Sequence, residues 1–235
     1  MESLFSRLTL VDVHSKVFRN IVSLVASQDL FDDLSSNPGE WALAQQVEDQ
    51  AKPPPYQSSS PAIHRPFEDA QWFNAIGWPF QHWQASRFSD GSFGVWYGCD
   101  TEETSVYETA HHWFKGLLSD AGFELENVVA ERQLYTVACD AALVDLRPLA
   151  ATHAGLLHKT DYSYTQAVGA RLHREGHPGL VATSARLATG HNFVVLNPGV
   201  LSNPQPHCKL TYRLQSQRIV VERKPGAVWM EIEPQ

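Results

Sequence analysis

The sequence is poor in cysteine and in long apolar runs, and both shortages narrow the classes of protein it can belong to. Its three cysteines, Cys99, Cys139 and Cys208, are widely spaced and form no C-x-x-C pair, so neither a disulfide framework nor a cysteine zinc site is expected. No apolar run approaches the ~18 residues that a membrane helix needs. Arg7 and Asp12 interrupt the apolar start where a signal peptide would be continuous. We therefore expect a cytoplasmic protein without membrane contact.

Positive charge is also scarce. The 235 residues include 18 Lys and Arg against 26 Asp and Glu, which gives a formal net charge of -8. Because the field of such a protein repels phosphate backbones, direct nucleic-acid binding is not expected. Hydrophobic residues, in contrast, make up 43% of the chain. That share can fill a sizeable core and excludes disorder as the default state.

Several familiar site motifs are missing. The sequence has no G-x-G-x-x-G, no G-x-x-x-x-G-K-[ST] and no G-x-S-x-G, the patterns of dinucleotide, phosphate-loop and nucleophile-elbow sites. Glu108 followed by His111 and His112 superficially suggests zinc. However, the spacing is neither H-E-x-x-H nor its inverse, and adjacent histidines on a helix point about 100° apart. We interpret the two histidines as surface residues and predict no metal site.

Apolar periodicity predicts three helices. Residues 11–33 carry apolar side chains at spacings of three and four, which predicts an amphipathic first helix. A second helix is expected to start at Asp100, with Glu103 as its capping-box partner. A third is expected over residues 161–175, where Gly176 ends it.

Alternation of apolar and polar residues predicts strands over much of the remainder. It is clearest in the C-terminal part of the chain, over 208–214 and 228–233. Further strands are expected near 93–98, 128–138, 142–146, 179–184 and 192–197. Few of these strands are fully apolar and the helices are clustered rather than interleaved with them. The expected fold class is therefore α+β, with a mainly antiparallel mixed sheet as its core and flanking helices.

A run rich in proline and serine marks a boundary. The segment KPPPYQSSSPA at 52–62 holds four prolines and three serines, a composition that cannot continue a helix or a central strand. We interpret it as a linker or surface loop. Residues 1–62 are thus expected to form a helical extension and linker packed on the core, and residues 63–235 the catalytic domain, within one compact domain overall.

Two stretches carry the remaining chemistry: SRFSDGSFGVWYGCDTEETSVYE at 86–108 and HPGLVATSARLATGHNFVVLNP at 177–198. They hold, in order, an arginine followed by an aromatic residue, a strand ending in tyrosine, a helix with a glutamate, and a strand ending in Ser-x-Arg. This order resembles the RES domain family, named for an arginine, a glutamate and a serine, although Ser86 stands where many members have glycine. The matching residues are Arg87, Tyr97, Glu108 and Ser184, with Arg186 following.

The resemblance covers roughly residues 75–200 and implies a bacterial toxin of a toxin–antitoxin module. Family members are similar in active-site logic to ADP-ribosyltransferases of the diphtheria-toxin type, which implies an ADP-ribosyltransferase-like sheet for the RES-type domain at 63–235. It also implies cleavage of the bond between nicotinamide and ribose, with NAD+ as substrate and no metal or prosthetic group. The family's genetic arrangement implies a cognate helix-turn-helix antitoxin in a toxin–antitoxin hetero-oligomer, and any DNA contact belongs mainly to that partner.

The resemblance also implies a role for each matching residue. Glu108 would stabilise an oxocarbenium-like ribose, and Arg87 would hold the diphosphate through two parallel donors. Tyr97 would stack or hydrogen-bond near the nicotinamide ribose. Ser184 would orient the nucleotide, and Arg186 would admit a phosphate. Each residue on its own equally fits a structural role, such as a surface ion pair for Arg87 or a core-edge position for Tyr97.

The acceptor of the ADP-ribosyl unit stays open at this point. Water would make the protein a glycohydrolase, phosphate a phosphorylase, and a protein side chain an ADP-ribosyltransferase. Small acceptors rank first because Arg186 is a basic residue beside the expected cleft. A protein acceptor ranks second because the longer N-terminal segment can form a docking surface. A catalytically silent binding module is the alternative from a different functional class.

Overall fold

The computed structural model describes residues 1–22, 71–118 and 128–233. The chain divides into two compact units. Among the described residues, the first comprises 1–19, 71–105 and 135–205, and the second comprises 20–22, 106–118, 128–134 and 206–233. None of the helices in the described ranges is both long and apolar enough to cross a membrane.

Strands and helices alternate irregularly along the described residues. The strands are β1 (Thr9–Val22), β2 (Ala85–Ser86), β3 (Ser89–Asp90), β4 (Trp96–Cys99), β5 (Val129–Asp145), β6 (Gly179–Thr183), β7 (His191–Val195), β8 (Leu201–Gln215), β9 (Arg218–Lys224) and β10 (Ala227–Ile232). The α-helices are α1 (Glu2–Phe5), α2 (Trp78–Gln81), α3 (Glu102–His111) and α4 (Ser163–Arg174). A π-helical turn, Phe73–Gly77, precedes α2, and another, His112–Leu118, follows α3. Short 3-10 turns lie at Arg147–Leu149, Ala154–Leu157 and Pro198–Val200.

The first unit is built on a sheet with the strand order β1-β4-β7-β6-β5. β4 is antiparallel to both β1 and β7, and β7 is antiparallel to β6. The parallel pair is β5 with β6, where Val144 lies opposite Leu180. The sheet is thus mostly antiparallel but mixed, which confirms the predicted α+β class.

Helix α4 supplies the apolar cover for this sheet. Val168 and Leu172 on the helix are fully buried in one cluster with Leu180 and Val194 of the sheet. Burial of each such side chain contributes about 1.5–3 kcal/mol to folding. The helix ends at Arg174, and Gly176 follows it, as predicted, with a left-handed φ of 79° that favours glycine.

A small hairpin formed by β2 and β3 lies directly on α4. The side-chain amide of Gln166 donates to the carbonyl oxygens of Ser86, at 3.0 Å, and Ser89, at 3.3 Å. Gly169 makes this approach possible, because a Cβ at that position would overlap the carbonyl oxygen of Phe88. The hairpin therefore sits on the helix through backbone contact, which fixes the residue between Ser86 and Phe88.

The second unit packs the later part of α3 against an antiparallel β8-β9-β10 sheet. Its buried cluster includes Val106 and Ala110 from the helix with Leu210 and Val221 from the strands. Trp113 meets the buried ring of Tyr212 edge-on, with ring centroids 6.0 Å apart. The strands predicted in the C-terminal part of the chain are confirmed.

The helix predicted for residues 11–33 is wrong over 11–22, which belong to strand β1. The apolar residues that suggested a helix include Val13 and Val17, and both are buried. Because a spacing of four is even, it fits a strand as well as a helix, and β-branched valines favour the strand. Residues 23–33 and the proline-rich segment 52–62 lie outside the described residues, so the boundary at 62 stays a prediction.

The start of α3 also differs from the prediction. The capping side chain is Thr101, whose Oγ1 accepts the amide of Thr104 at 3.0 Å. The predicted N-cap, Asp100, instead accepts the Thr104 hydroxyl at 2.8 Å and contacts Nδ1 of His191 at 2.9 Å. The side chains of Asp100 and Thr101 both carry an acceptor oxygen that suits a helix cap. Which of them caps α3 depends on the contact of Asp100 with His191, a residue of the distant strand β7. The two strands predicted at 128–138 and 142–146 are a single strand, β5.

We predict that Gly169→Ala destabilises the protein, although a helical glycine replaced by alanine ordinarily gains up to about 1 kcal/mol. The added methyl group must displace the hairpin from α4, and overpacking of this kind costs about 1–3 kcal/mol. The measurement is the free energy of unfolding in urea. An increase in stability would show that the hairpin does not need this close approach.

We also predict a pH-dependent contribution from His14 on β1. Its Nδ1 lies 3.0 Å from a carboxylate oxygen of Asp140, and its Nε2 lies 3.0 Å from one of Asp12. The hydrogen bond to Asp140, followed by that to Asp12, raises the pKa of His14 above 6.5. Its stabilising effect is therefore complete below pH 6.5 and is lost as the pH rises through the folded pKa.

The check is a titration of the His14 ring by NMR in the wild type and in Asp140→Asn. The variant is expected to bring the pKa of His14 back toward that of an ordinary histidine. Identical titration curves in the two proteins would contradict the assigned contact.

Candidate active site

Arg87 lies in the turn between β2 and β3, and its side chain is held inside the first unit. The residue is 9% exposed. Its Nη1 donates to the carbonyl oxygen of His158 at 2.9 Å and to that of Leu156 at 3.4 Å. The guanidinium carbon lies 4.5 Å from the centre of the Tyr162 ring. Two backbone carbonyl groups and an aromatic face thus contribute to the orientation of this side chain.

Tyr97, at the second position of β4, fixes the turn that carries Arg87. Its hydroxyl is 2.9 Å from the Ser86 hydroxyl and accepts the backbone N–H of Phe88, also at 2.9 Å. The two residues next to Arg87 in sequence are therefore tied to one phenol. The hydroxyl of Ser86 supplies one of these two contacts. The described contacts give Tyr97 a positioning role toward Arg87, and its role near a ribose stays a prediction.

Ser184 and Arg186 occupy the loop between β6 and β7. Ser184 is buried, and its Oγ accepts the backbone N–H groups of Arg186 and Leu187, each at 3.0 Å. The backbone of Ser184 donates to the carbonyl of Gly190 at 2.8 Å, which closes the loop. The serine therefore shapes the loop that presents Arg186. Its contact with a nucleotide stays a prediction.

Arg186 reaches the same tyrosine as Arg87. Its Nη2 donates to the hydroxyl of Tyr162 at 3.0 Å and to the carbonyl oxygen of Lys159 at 2.7 Å. Its Nε and Nη1 are buried and have no hydrogen-bond partner among the residues that the structure describes. The structure therefore brings Arg87 and Arg186 together around one ring.

Tyr162 was not among the residues predicted from the sequence. It is the N-cap residue of α4, a position where a tyrosine has no special meaning in a sequence. No motif connects it with the arginines, because Arg87 precedes it by 75 positions and Arg186 follows it by 24. A signal existed only in the three-dimensional contacts of Arg87 with the ring and of Arg186 with the hydroxyl.

Glu108 lies on α3 in the second unit, whereas the other four predicted residues lie in the first unit. Its side chain is half-buried. The neighbouring helix residues Val106 and Ala110 are buried in the core of the second unit. The predicted position of Glu108 at the edge of an apolar stripe is consistent with this burial pattern. Its catalytic role stays a prediction.

A second polar cluster in the first unit was also not predicted. Besides the contact of Asp100 with His191, the guanidinium of Arg147 donates two hydrogen bonds to Asp145, at 2.8 and 2.7 Å, and its backbone N–H donates a third at 3.0 Å. Burial favours a raised pKa for Asp145, but the hydrogen bonds from Arg147 outweigh it and lower the pKa. Asp100 follows β4 and His191 begins β7, so their contact joins two neighbouring strands. Asp145 is the last residue of β5.

Comparison with known proteins agrees with the motif. The model of the RES domain family matches residues 61–215. No curated protein matches the sequence. Among solved structures, one similar to this chain is the crystal structure of the M. tuberculosis MbcT-MbcA toxin-antitoxin complex, at 15% sequence identity and a TM-score of 0.45, covering 89% of this chain and 90% of that chain. The family match spans more than half of the chain and includes Arg87, Tyr97, Glu108, Ser184 and Arg186, and the chain therefore belongs to the RES domain family.

Proposed function

We propose that this chain is the toxin of a bacterial toxin–antitoxin system and that it consumes NAD+ in the cytoplasm by cleaving the bond between nicotinamide and ribose. One observation carries the proposal. Two arginines at or next to the family's motif positions, Arg87 and Arg186, contact the ring and the hydroxyl of the same residue, Tyr162. The family match extends across this region.

The electrostatics of this arrangement favour an anionic ligand. The chain has a net charge of -8, so a dinucleotide with two phosphates needs local cations to bind. Two guanidinium groups near one ring repel each other, and an anion placed between or beside them relieves that repulsion. The carbonyl oxygens of His158 and Lys159 orient the arginines. These acceptors carry no formal charge.

The proposed reaction transfers the ADP-ribosyl unit from nicotinamide to an acceptor. As the bond to the ribose breaks, its electron pair goes to the ring nitrogen, and nicotinamide leaves as a neutral molecule. Positive charge develops at the ribose, so a carboxylate stabilises the transition state more than the ground state. The family motif supplies Glu108 for this role. The acceptor, which loses a proton on attack, is water or phosphate in the first proposal.

Two alternatives to the small-acceptor reaction are kept. A protein side chain as acceptor would make the chain an ADP-ribosyltransferase that modifies a host enzyme. A catalytically silent module would only bind a partner. Mass analysis of the products from NAD+, with and without phosphate and with cell extract, separates these outcomes. We expect free or phosphorylated ADP-ribose. A labelled protein would favour the transferase, and intact NAD+ under all conditions would favour the silent module.

The proposal includes a cognate helix-turn-helix antitoxin. A toxin that drains NAD+ must be restrained in its own cell, and a protein inhibitor that covers the nucleotide site does so most simply. A carboxylate of the antitoxin can pair with the same arginines that are proposed to bind phosphate. The antitoxin is therefore expected to compete with NAD+.

We predict that Glu108→Ala yields a folded protein that no longer consumes NAD+. Loss of one preorganised electrostatic stabiliser typically lowers the rate by roughly 100- to 1000-fold. The measurement is nicotinamide release by the purified proteins. Glu103→Ala is the matched control, since Glu103 is an exposed carboxylate in the first turn of the same helix. Wild-type turnover by the Glu108 variant would remove this residue from the mechanism.

We predict that Arg87→Lys weakens NAD+ binding although the positive charge is kept. A planar guanidinium can contact a carbonyl, an aromatic ring and a phosphate together, whereas a lysine ammonium cannot reproduce that geometry. Affinity for NAD+ is measured by calorimetry in the Glu108→Ala background, which prevents turnover. The exposed Arg174, changed to lysine, serves as the control. Equal affinity of the Arg87 and Arg174 variants would place the diphosphate elsewhere.

A further inference from the structure

We infer that the contact between Asp100 and His191 fixes the β6–β7 loop, residues 184–190, and that His191 thereby governs how tightly the chain binds NAD+. His191 is a positioning residue in this account, because it acts through the loop that presents Ser184 and Arg186. The fixation of the loop rests on the contacts described below. That the loop binds NAD+ rests on the proposed function.

The two ends of the β6–β7 loop lie side by side on the sheet. His191 opens β7 and lies opposite Thr183, the last residue of β6. The backbone N–H of Ser184 donates to the carbonyl oxygen of Gly190 at 2.8 Å, and the N–H of Gly190 donates to the carbonyl oxygen of Leu187 at 2.9 Å. The closing end of the loop is thus bonded to its opening end. A residue that fixes His191 therefore fixes the loop.

Asp100 holds His191 through both its backbone and its side chain. The backbone N–H of Asp100 donates to the carbonyl oxygen of His191 at 3.1 Å. Its Oδ2 lies 2.9 Å from Nδ1 of the His191 ring. Because a carboxylate only accepts hydrogen bonds, Nδ1 is the donor in this contact. The ring is therefore fixed in orientation at the point where the loop joins β7.

The first turn of α3 holds Asp100 in turn. The hydroxyl of Thr104, a fully buried residue, donates to Oδ1 of Asp100 at 2.8 Å. Gly190 packs against the same threonine, since a Cβ at Gly190 would overlap the hydroxyl of Thr104. The last residue of the loop thus lies directly on the helix turn that orients Asp100. The loop cannot move at this end without breaking that close contact.

Two other charged side chains lie near this contact. Asp145 interacts electrostatically with His191, and Arg147 does so with Asp100. The guanidinium of Arg147 donates two hydrogen bonds to Asp145, at 2.8 and 2.7 Å. Asp145 is therefore held by Arg147, whereas Asp100 accepts the hydrogen bond from the His191 ring. Because 34% of the His191 side chain is exposed, its truncation opens no cavity in the core, and the variant is expected to fold.

A fixed loop affects binding and catalysis differently. A loop that already has its bound conformation adds no ordering cost when a ligand binds. Without the His191 contact, only a fraction of the molecules holds that conformation, and the apparent Kd rises by the reciprocal of this fraction. Saturating ligand restores the conformation in every molecule. Loss of the contact therefore raises KM and leaves kcat unchanged, whereas a residue needed only for folding lowers the amount of active protein and with it kcat.

The first measurement is amide hydrogen exchange in the wild type, His191→Ala, His191→Asn and the control His177→Ala. The backbone N–H groups of Arg186 and Leu187, which donate to Oγ of Ser184, report on the loop. The buried residue Val194 in β7 reports on global unfolding. In His191→Ala we expect the loop amides to exchange roughly 3- to 30-fold faster, with little change at Val194, because one hydrogen bond to a charged group is lost.

The two other variants separate the hydrogen bond from the imidazole itself. In His191→Asn the side-chain amide can donate to Asp100 from nearly the position of Nδ1, so exchange like that of the wild type is expected. His177 is the matched control because its side chain is 32% exposed and lies 3.7 Å from Glu175, too far for a hydrogen bond. His177→Ala is also expected to behave like the wild type.

The second measurement is the steady-state kinetics of nicotinamide release. For His191→Ala we expect KM for NAD+ to rise roughly 3- to 30-fold and kcat to stay within about twofold of the wild-type value. His191→Asn should restore KM. In an Asp100→Ala background, His191→Ala should raise KM less than it does in the wild type, because both changes remove the same contact.

The outcomes distinguish this inference from the proposed function. Unchanged exchange of the loop amides in His191→Ala would overturn the inference, and so would a lowered kcat at unchanged KM. Failure of His191→Asn to restore exchange would exclude the hydrogen bond to Asp100 as the cause. Faster loop exchange in His191→Ala, together with a wild type that neither binds nor consumes NAD+, would support the fixation of the loop and refute the proposed function.

Discussion

The contact of Arg87 and Arg186 with one residue, Tyr162, is the constraint on which the proposed site in the first unit depends. Backbone carbonyl oxygens and an aromatic ring orient an arginine without themselves placing a negative formal charge beside it. The turn of residues 156–159 and Tyr162 supply such acceptors to Arg87 and Arg186. In a chain with an acidic balance, such a concentration of positive charge requires a rigid support.

That support extends from the core to the turn carrying Arg87. Helix α4 is anchored by its buried leucine and valine side chains, and its glycine allows the β2–β3 hairpin to approach within backbone contact. Gln166 on the helix and Tyr97 on the sheet both hold this hairpin by hydrogen bonds. The residues that set the position of Arg87 therefore come from two elements of the same core. A loop attached only to solvent could not hold the side chain so closely.

The sequence allowed prediction of the fold class, whereas the site roles assigned from the ordered motif stay predictions. Patterns with one physical explanation were confirmed, such as the alternating strands in the C-terminal part and the left-handed Gly176. Patterns with two explanations were not. The spacing of Val13 and Val17 fits both a helix and a strand. In the structure both residues lie in β1, which pairs with the distant strand β4.

Tyr162 and the carbonyl groups of its turn could not be predicted for a different reason. Carbonyl groups are present at every residue, so a sequence cannot show which of them point at an arginine. The aromatic contact joins residues far apart along the chain, and only the fold brings them together. Tyr97 was identified from its motif position, but its hydroxyl contacts with Ser86 and Phe88 depend on the hairpin's location.

The most direct test of the account is a crystal structure of Glu108→Ala with NAD+ bound. The account predicts that the diphosphate oxygens lie within hydrogen-bond distance, about 2.7–3.2 Å, of guanidinium nitrogens of both Arg87 and Arg186. It also predicts that Tyr162 keeps its contacts with both arginines. A diphosphate bound away from these two side chains, or contacted by neither of them, would contradict the central claim.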